Sequence, residues 1–131
     1  MKKITLHTSK NSEWIDITSQ IQNHLDTEKI TDGVCLIYSP HTTAGITINE
    51  NADPDVKADS NTFLNQLIPK LPSFRHSEGN SDAHIKTSLV GNSVQVIIEN
   101  GTLQLGTWQA IYFCEFDGPR TREVWVKIIR N

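Results

Sequence analysis

The last third of the chain alternates between apolar and polar residues in short segments, and this pattern constrains the fold more than any other feature. Val94–Glu99 alternates, and the Asn100-Gly101 dipeptide after it is typical of a tight hairpin turn. Trp108–Phe116 and Arg122–Ile129 form a second predicted strand pair, joined by a turn at residues 117–120. This region therefore predicts a largely antiparallel sheet.

The earlier part of the chain adds shorter strands around a more apolar one. The segments Lys3–Thr8, Trp14–Thr18 and Ile46–Asn49 alternate in the same way and predict half-buried strands. Val34–Tyr38 is almost continuously apolar, which is typical of a central strand.

Two segments in the first half of the chain carry helix signals. Thr18 is predicted to cap a helix that runs to about Lys29, with Ile21 and Leu25 on its inner face. A second helix is predicted to begin at Asp53-Pro54, because aspartate caps helices and proline suits the first helical position. Its apolar residues recur at helical spacing until Pro69, and they are Val56, Phe63, Leu64, Leu67 and Ile68.

A third, short helix is predicted over Asp82–Leu89, and Gly91 is expected to end it. On the second helix, Asn61 and Asn65 are predicted to face solvent. Together these elements predict one α+β domain over residues 1–131, with a mainly antiparallel sheet or sandwich and two or three packed helices.

Composition and charge narrow the class of function. The formal net charge of -3 argues against a nucleic-acid partner, whose binding proteins usually carry a basic surface. No apolar run approaches the roughly 20 residues that cross a bilayer, and the first residues lack the apolar core of a signal peptide. Cys35 and Cys114 lie in apolar runs and are predicted to be buried, reduced thiols. A cytoplasmic protein is therefore expected.

Three histidines stand among small, polar or turn-forming residues. They are His41, which follows the Val34–Tyr38 strand, and His76 and His84 farther along the chain. Three neutral imidazoles can hold a transition metal and leave a coordination position open, and imidazole suits zinc, nickel, copper and iron. A straight helix would place His76 and His84 about 12 Å apart. A shared metal therefore requires a turn between them, which Gly79-Asn80 can supply.

Other polar side chains near the histidines are candidates for binding and proton transfer. Thr42 and Thr43 offer hydroxyl groups next to His41. The acid/base candidates are Glu50, Glu78 and Asp82, and the phosphate-binding candidates are Lys86, Arg120 and Arg122. Spacing alone leaves two alternatives open, because the histidines can also make ordinary hydrogen bonds and the charges can also face solvent.

Several motifs, taken together, resemble the YjbQ family of secondary thiamine-phosphate synthases, and they extend over most of the chain. They are Ser-Pro-His-Thr-Thr-Ala at 39–44, Asn-Glu-Asn-Ala-Asp-Pro-Asp-Val at 49–56, Arg75-His76 with Glu78-Gly79-Asn80, Asp82-Ala83-His84-Ile85-Lys86, Leu105-Gly106-Thr107-Trp108-Gln109 and Glu115-Phe116-Asp117-Gly118-Pro119-Arg120. The resemblance implies a compact β-rich homotrimer with sites near the subunit boundaries.

The resemblance also implies a site and a reaction. Divalent metal, zinc by preference, is expected on His41, His76 and His84, with Glu78 or Asp82 orienting substrate or water. Substrate-binding residues are expected at Thr42, Thr43, Glu50, Asn80, Lys86 and Arg120. The implied reaction joins hydroxymethylpyrimidine pyrophosphate to thiazole phosphate and releases pyrophosphate. Two alternatives remain: a metal-dependent hydrolase of a phosphorylated metabolite, and a non-enzymatic trimer that binds metal or phosphometabolite.

Overall fold

A computed structural model describes residues 1–130, which form an α+β fold of eight strands and three helices. The strands are β1 (Lys2–His7), β2 (Glu13–Asp16), β3 (Gly33–Tyr38), β4 (Ala44–Glu50), β5 (Ser93–Glu99), β6 (Thr102–Leu103), β7 (Gln109–Glu115) and β8 (Thr121–Arg130). The helices are α1 (Thr18–Thr27), α2 (Pro54–Leu67) and α3 (Ser81–Val90). Within residues 1–130, no helix combines the length and apolarity that a membrane crossing requires.

The strands form two antiparallel sheets. The larger has the order β1-β8-β3-β5-β6, and the smaller has the order β2-β7-β4. β3 lies between β8 and β5, so the predicted central strand over Val34–Tyr38 is confirmed. The hairpin predicted at Asn100-Gly101 is also present, because it joins the paired strands β5 and β6.

The predicted pairing of the last two strands is wrong. β7 is the middle strand of the smaller sheet, whereas β8 is paired with β1 and β3 in the larger one. Residues 117–120 therefore cross from one sheet to the other instead of closing a hairpin. The physical reason is that both edges of each strand are already paired, β7 with β2 and β4 and β8 with β1 and β3, so neither strand has a free edge for the other.

The main core lies between the sheets and α1. Ile21 and Leu25 are fully buried on the inner face of α1, as predicted, and each contributes about 1.5–3 kcal/mol through burial. Thr18 does not cap α1, however, because the preceding Ile17 occupies that position without a side-chain cap. The Thr18 hydroxyl instead accepts a hydrogen bond from the backbone N–H of Ile111 at 2.9 Å, which ties the helix to β7.

α2 begins as predicted but packs less deeply than its apolar spacing suggests. Asp53 caps it by accepting from the backbone N–H of Asp55 at 2.9 Å, and Pro54 is its first residue. No residue of Pro54–Leu67 is buried. The prediction that Asn61 faces solvent is wrong, because its carboxamide is half-buried and hydrogen-bonded to Ser12 in the β1–β2 loop.

α3 and the two cysteines agree with the sequence predictions. The helix ends at Val90, and Gly91 follows with a φ of 99°, a conformation that favours glycine. Cys35 and Cys114 are buried free thiols. Burial raises the pKa of Cys35 to about 12 and raises the pKa of Cys114 as well, so both thiols stay protonated near neutral pH.

Candidate functional site

The loop that carries His41 is fixed by hydrogen bonds at both of its ends. The Ser39 hydroxyl donates to the carbonyl oxygen of Ala44 at 2.7 Å and accepts from the backbone N–H of His41 at 3.3 Å. The backbone N–H of Ser39 donates to the carbonyl oxygen of Asn92 at 2.7 Å. The loop is therefore tied both to β4 and to the chain that follows α3.

The imidazole of His41 accepts a backbone hydrogen bond from β8 just beyond the end of β3. The pairing of β3 with β8 stops at Tyr38, opposite Trp125, and Glu123 lies two residues before Trp125 in β8. The backbone N–H of Glu123 donates to Nε2 of His41 at 2.9 Å. A neutral imidazole that accepts at Nε2 carries its proton on Nδ1. Burial and the nearby Arg122 charge lower the pKa of His41, which favours this neutral form.

His76 and His84 are brought together by the predicted turn. The backbone N–H of Gly79 donates to the carbonyl oxygen of His76 at 3.1 Å, and Gly79 has a φ of 74°. The chain then enters α3, whose first turns carry His84. The two imidazole rings lie 5.3 Å apart between centroids and are nearly perpendicular.

A cavity of about 390 Å³ joins these elements, and most of the predicted site residues line it. Its lining consists of Pro40, His41, Thr42, Thr43, His76, Glu78, Asn80, His84, Arg120 and Arg122. The site therefore draws on the loop after β3, the turn before α3, and the crossing segment before β8. Three predicted residues, Glu50, Asp82 and Lys86, are not in this lining.

Asp82 and Lys86 belong to a buried ionic network between α3 and α2. Lys86 Nζ donates to Asp82 Oδ2 at 3.4 Å and to Asn65 Oδ1 at 2.6 Å. The exposed Lys70 donates to Asp82 Oδ1 at 3.2 Å. Burial alone would raise the pKa of Asp82, but Lys70 and Lys86 lower it overall. The pair therefore stabilises the packing of α3 against α2.

Glu50 lies at the end of β4, outside the cavity lining. Its backbone carbonyl accepts a hydrogen bond from the Tyr112 hydroxyl at 2.9 Å, and the pair links β4 to its neighbour β7. Within residues 1–130, no side-chain contact connects the Glu50 carboxylate to the three histidines.

A buried ion pair, which was not predicted from the sequence, lies next to the cavity. Glu115 is fully buried and Arg122 is 3% exposed. Arg122 Nε donates to Glu115 Oε1 at 2.8 Å, and its Nη2 donates to Glu115 Oε2 and to the Thr43 hydroxyl. The hydroxyl of Thr8 also donates to Glu115 Oε1 at 2.8 Å. A glutamate within the apolar segment Trp108–Phe116 was the available signal, since a charge in a core strand needs a partner.

A second polar chain connects Arg120 to Asn80. Arg120 uses Nε and Nη2 to donate to the backbone carbonyl and carboxylate of Asp117. The same carboxylate accepts from the Asn80 Nδ2 at 2.7 Å. Within residues 1–130, Arg120 Nη1 makes no hydrogen bond, and Asn80 Oδ1 is buried without a partner. The exposed Arg120 side chain can therefore offer Nη1 to a ligand or to water.

The three histidines match zinc in chemistry, but their present arrangement is not a ready ligand set. Nε2 of His41 is occupied by the N–H of Glu123, and its neutral ring has no second lone pair for a metal. Among residues 1–130, no three His, Cys, Asp or Glu side chains are placed so as to hold a metal ion. Metal binding by all three therefore requires His41 to release Glu123.

Comparison with known proteins agrees with the fold and with the motifs. The family model described as UPF0047 protein YjbQ-like matches residues 2–131. The UPF0047 protein MJ1081 of Methanocaldococcus jannaschii is 59% identical over 97% of this chain and 92% of its own length. The UPF0047 protein YugU of Bacillus subtilis is 55% identical over 98% of both chains.

Solved structures give the same result. A crystal structure of an uncharacterized conserved protein of the yjbq/upf0047 family from Clostridium acetobutylicum has a TM-score of 0.95 and 55% identity, covering 98% of this chain and 100% of the other. Hypothetical protein APE1520 from Aeropyrum pernix has a TM-score of 0.93 at 32% identity, covering 99% and 98%. Fold and site together define an α+β protein with a histidine- and arginine-lined cavity. The chain belongs to the UPF0047 YjbQ-like family.

Proposed function

We propose that the protein is a thiamine-phosphate synthase-type transferase. It joins hydroxymethylpyrimidine pyrophosphate to thiazole phosphate and releases pyrophosphate. The observation that carries the proposal is the cavity in which three histidines and two arginines converge with threonine hydroxyls. Such a set of hydrogen-bond donors suits phosphate and pyrophosphate groups. The motif resemblance to secondary thiamine-phosphate synthases supplies the substrate class.

The reaction requires charge stabilisation more than proton transfer. The thiazole nitrogen donates its lone pair to the methylene carbon, the bond from that carbon to oxygen breaks, and pyrophosphate leaves with the bonding electrons. Negative charge therefore grows on the leaving oxygen. Fixed donors around that oxygen lower the barrier because they need no reorganisation as the charge develops.

Individual residues have distinct tasks in this proposal. Arg120 binds the pyrophosphate through Nη1, which no hydrogen bond within residues 1–130 uses. In the metal-free site, His41 presents its Nδ1–H, since its Nε2 accepts from Glu123. Arg122 acts as a positioning residue, because its bonds to Glu115 and Thr43 set the cavity floor. Of the three acid/base candidates, Glu78 lines the cavity, whereas Glu50 and Asp82 do not.

The test is turnover by the purified protein with both substrates, measured as thiamine phosphate formed. His84→Ala is expected to lower the rate by about 100-fold, the usual effect of removing one donor from a stabilising site. His24→Ala, which changes a histidine of α1 outside the cavity, is the matched control and should retain the wild-type rate. Equal rates for His84→Ala and the wild type would contradict the proposed site.

The same assay distinguishes the two alternatives. Release of phosphate from a single phosphorylated metabolite, without the second substrate, would favour a metal-dependent hydrolase. Tight binding of the phosphorylated substrates without any turnover would favour a non-enzymatic binding protein. Formation of thiamine phosphate only when both substrates are present supports the transferase.

The proposal includes a divalent metal, zinc by preference, held by His41, His76 and His84 once His41 has released Glu123. When bound, the ion would supply positive charge to the leaving pyrophosphate. Elemental analysis of protein purified without a metal-affinity tag tests it, with the His84→Ala variant as comparison. About one equivalent per chain in the wild type and a loss in the variant support the metal site. Equal, trace amounts in both proteins would contradict it.

The proposal also includes a homotrimer in the cytoplasm. Support for assembly comes from large apolar side chains left on the surface of one chain, including Phe63, Leu67 and Leu89, each more than half exposed. Light scattering is expected to give three times the mass of one chain. A monomer mass at micromolar concentration would contradict the trimer.

The two reduced thiols agree with a cytoplasmic location.

A further inference from the structure

A second cavity lies against the first and shares part of its wall. It has a volume of about 500 Å³, and its lining includes His41, Thr42 and His84, which also line the first cavity. The rest of its lining consists of Thr87, Ser88, Gly91 and Asn92. His41, Thr42 and His84 therefore form a boundary between two spaces. A volume of this size accommodates a small molecule or a substantial part of one.

The two cavities differ in charge. The first contains Arg120, Arg122 and Glu78. Among the described residues that line the second, none is Asp, Glu, Lys or Arg. A phosphate group moved into uncharged surroundings loses its hydration without gaining an opposite charge, which is unfavourable. Arg122 is paired with Glu115, whereas Arg120 keeps Nη1 without a hydrogen bond within residues 1–130. Phosphate groups therefore belong beside Arg120, and an uncharged group belongs in the second cavity.

The second cavity offers hydrogen-bond acceptors. The hydroxyl of Thr87 donates to the carbonyl oxygen of Ala83 at 2.9 Å, and that of Ser88 donates to the carbonyl oxygen of His84 at 3.0 Å. Because each hydroxyl proton is already used, each oxygen can act towards a further partner as a hydrogen-bond acceptor. Asn92 adds a carboxamide. An uncharged ring that carries an amino group matches this surface.

The wall of the second cavity is held rigidly next to His41. The carbonyl oxygen of Gly91 accepts from the backbone N–H of Ile46 at 3.0 Å, and that of Asn92 accepts from Ser39. Gly45 permits this close approach, because a Cβ there would lie 2.5 Å from the Gly91 oxygen. At Gly91 itself a Cβ would meet nothing within 4 Å, so that face is open space.

We infer that the second cavity is a subsite for an uncharged, amino-bearing heterocycle, and that the first cavity binds the phosphate groups of the same substrate. This inference rests on the proposed function and deepens it. The aminopyrimidine ring occupies the space beside Ser88 and Asn92, its pyrophosphate reaches Arg120, and the methylene carbon lies at the boundary formed by His41, Thr42 and His84. The amino group is recognised by hydroxyl oxygens and not by Glu78.

Ser88→Leu tests the subsite because it fills the second cavity from an exposed helical position. Titration calorimetry compares two probes, inorganic pyrophosphate and hydroxymethylpyrimidine pyrophosphate. In the wild type, the pyrimidine compound should bind about tenfold or more tightly than pyrophosphate. Ser88→Leu should remove that difference and leave pyrophosphate affinity unchanged. Thr62→Leu, an exposed position on α2 outside both cavities, should behave as the wild type, and Asn92→Leu gives a second variant of the subsite.

Three results would overturn the inference: equal affinity of the two probes in the wild type, an undiminished preference in both subsite variants, or equal weakening of both probes.

Failure of the subsite inference is distinguishable from failure of the proposed function. If thiamine phosphate forms but Ser88→Leu and Asn92→Leu leave the KM for the pyrimidine substrate unchanged, the function stands and the subsite does not. If the binding pattern holds but no thiamine phosphate forms, the subsite stands and the reaction does not.

Discussion

Arg122→Met is expected to lower the free energy of unfolding by roughly 3–5 kcal/mol, because it leaves the Glu115 carboxylate buried without its cation. Glu115 has no exposed surface, and its remaining donors would be the Thr8 hydroxyl and the backbone N–H of Asp117. Methionine keeps most of the volume of arginine, so the loss reports the charge and its hydrogen bonds more than a cavity.

Urea unfolding followed by circular dichroism measures the change. Arg120→Met is the matched control, since Arg120 lies two residues earlier and its ion pair with Asp117 is half-exposed. Its cost should be about 1 kcal/mol or less. The double variant Glu115→Leu with Arg122→Met should recover much of the lost stability, because no charge is then left buried. A cost below about 1 kcal/mol for Arg122→Met alone would contradict this account.

Asp82→Ala is expected to cost roughly 3 kcal/mol, because the ammonium group of Lys86 then stays buried with Asn65 as its one remaining partner among residues 1–130. The control is Lys70→Ala. Lys70 binds the same carboxylate, but its side chain is 61% exposed, so its removal should cost about 1 kcal/mol or less. Equal costs for the two variants would show that burial of the pair does not determine its contribution.

The effect of Asp82→Ala should also depend on pH. The pKa of Asp82 lies below its ordinary value of 3.8, so the unfolded chain takes up this proton before the folded protein does. The stabilisation is therefore complete above pH 3.8 and is lost as the pH falls through the lowered pKa. The difference in unfolding free energy between wild type and Asp82→Ala should shrink in that range, and a constant difference would contradict the assignment.

Local signals in the sequence predicted two helix ends well, whereas the cap predicted at Thr18 is wrong. Asp53-Pro54 and Gly91 act through hydrogen bonds and backbone angles within a few residues, so they can be recognised without the rest of the fold. Strand pairing is different. The 117–120 segment looks like a turn, but the partners of β7 and β8 are set by burial across the whole domain, which no local pattern contains.

In the candidate site, too, features with a local signal were predicted and features that depend on packing were not. A turn at Gly79-Asn80 was predicted to bring His76 and His84 together, and its signal lies within a few residues of both histidines. Asp82 and Lys86 carry suitable chemistry, but whether they face the cavity or α2 depends on how α3 is rotated in the packed domain. Glu115 was missed because its partner Arg122 comes from a strand of the other sheet.

β8 is a long strand, so its first and last residues lie at opposite ends of the larger sheet. Thr121, at the start of the strand, is next to Arg120 and Arg122, whereas Arg130 lies at the opposite end beside Gly33. Ten extended residues span about 30 Å. A fluorophore, surface linker or fused protein attached near Arg130 would therefore stay far from both cavities, so immobilised or labelled protein can be used to measure ligand binding without obstructing it.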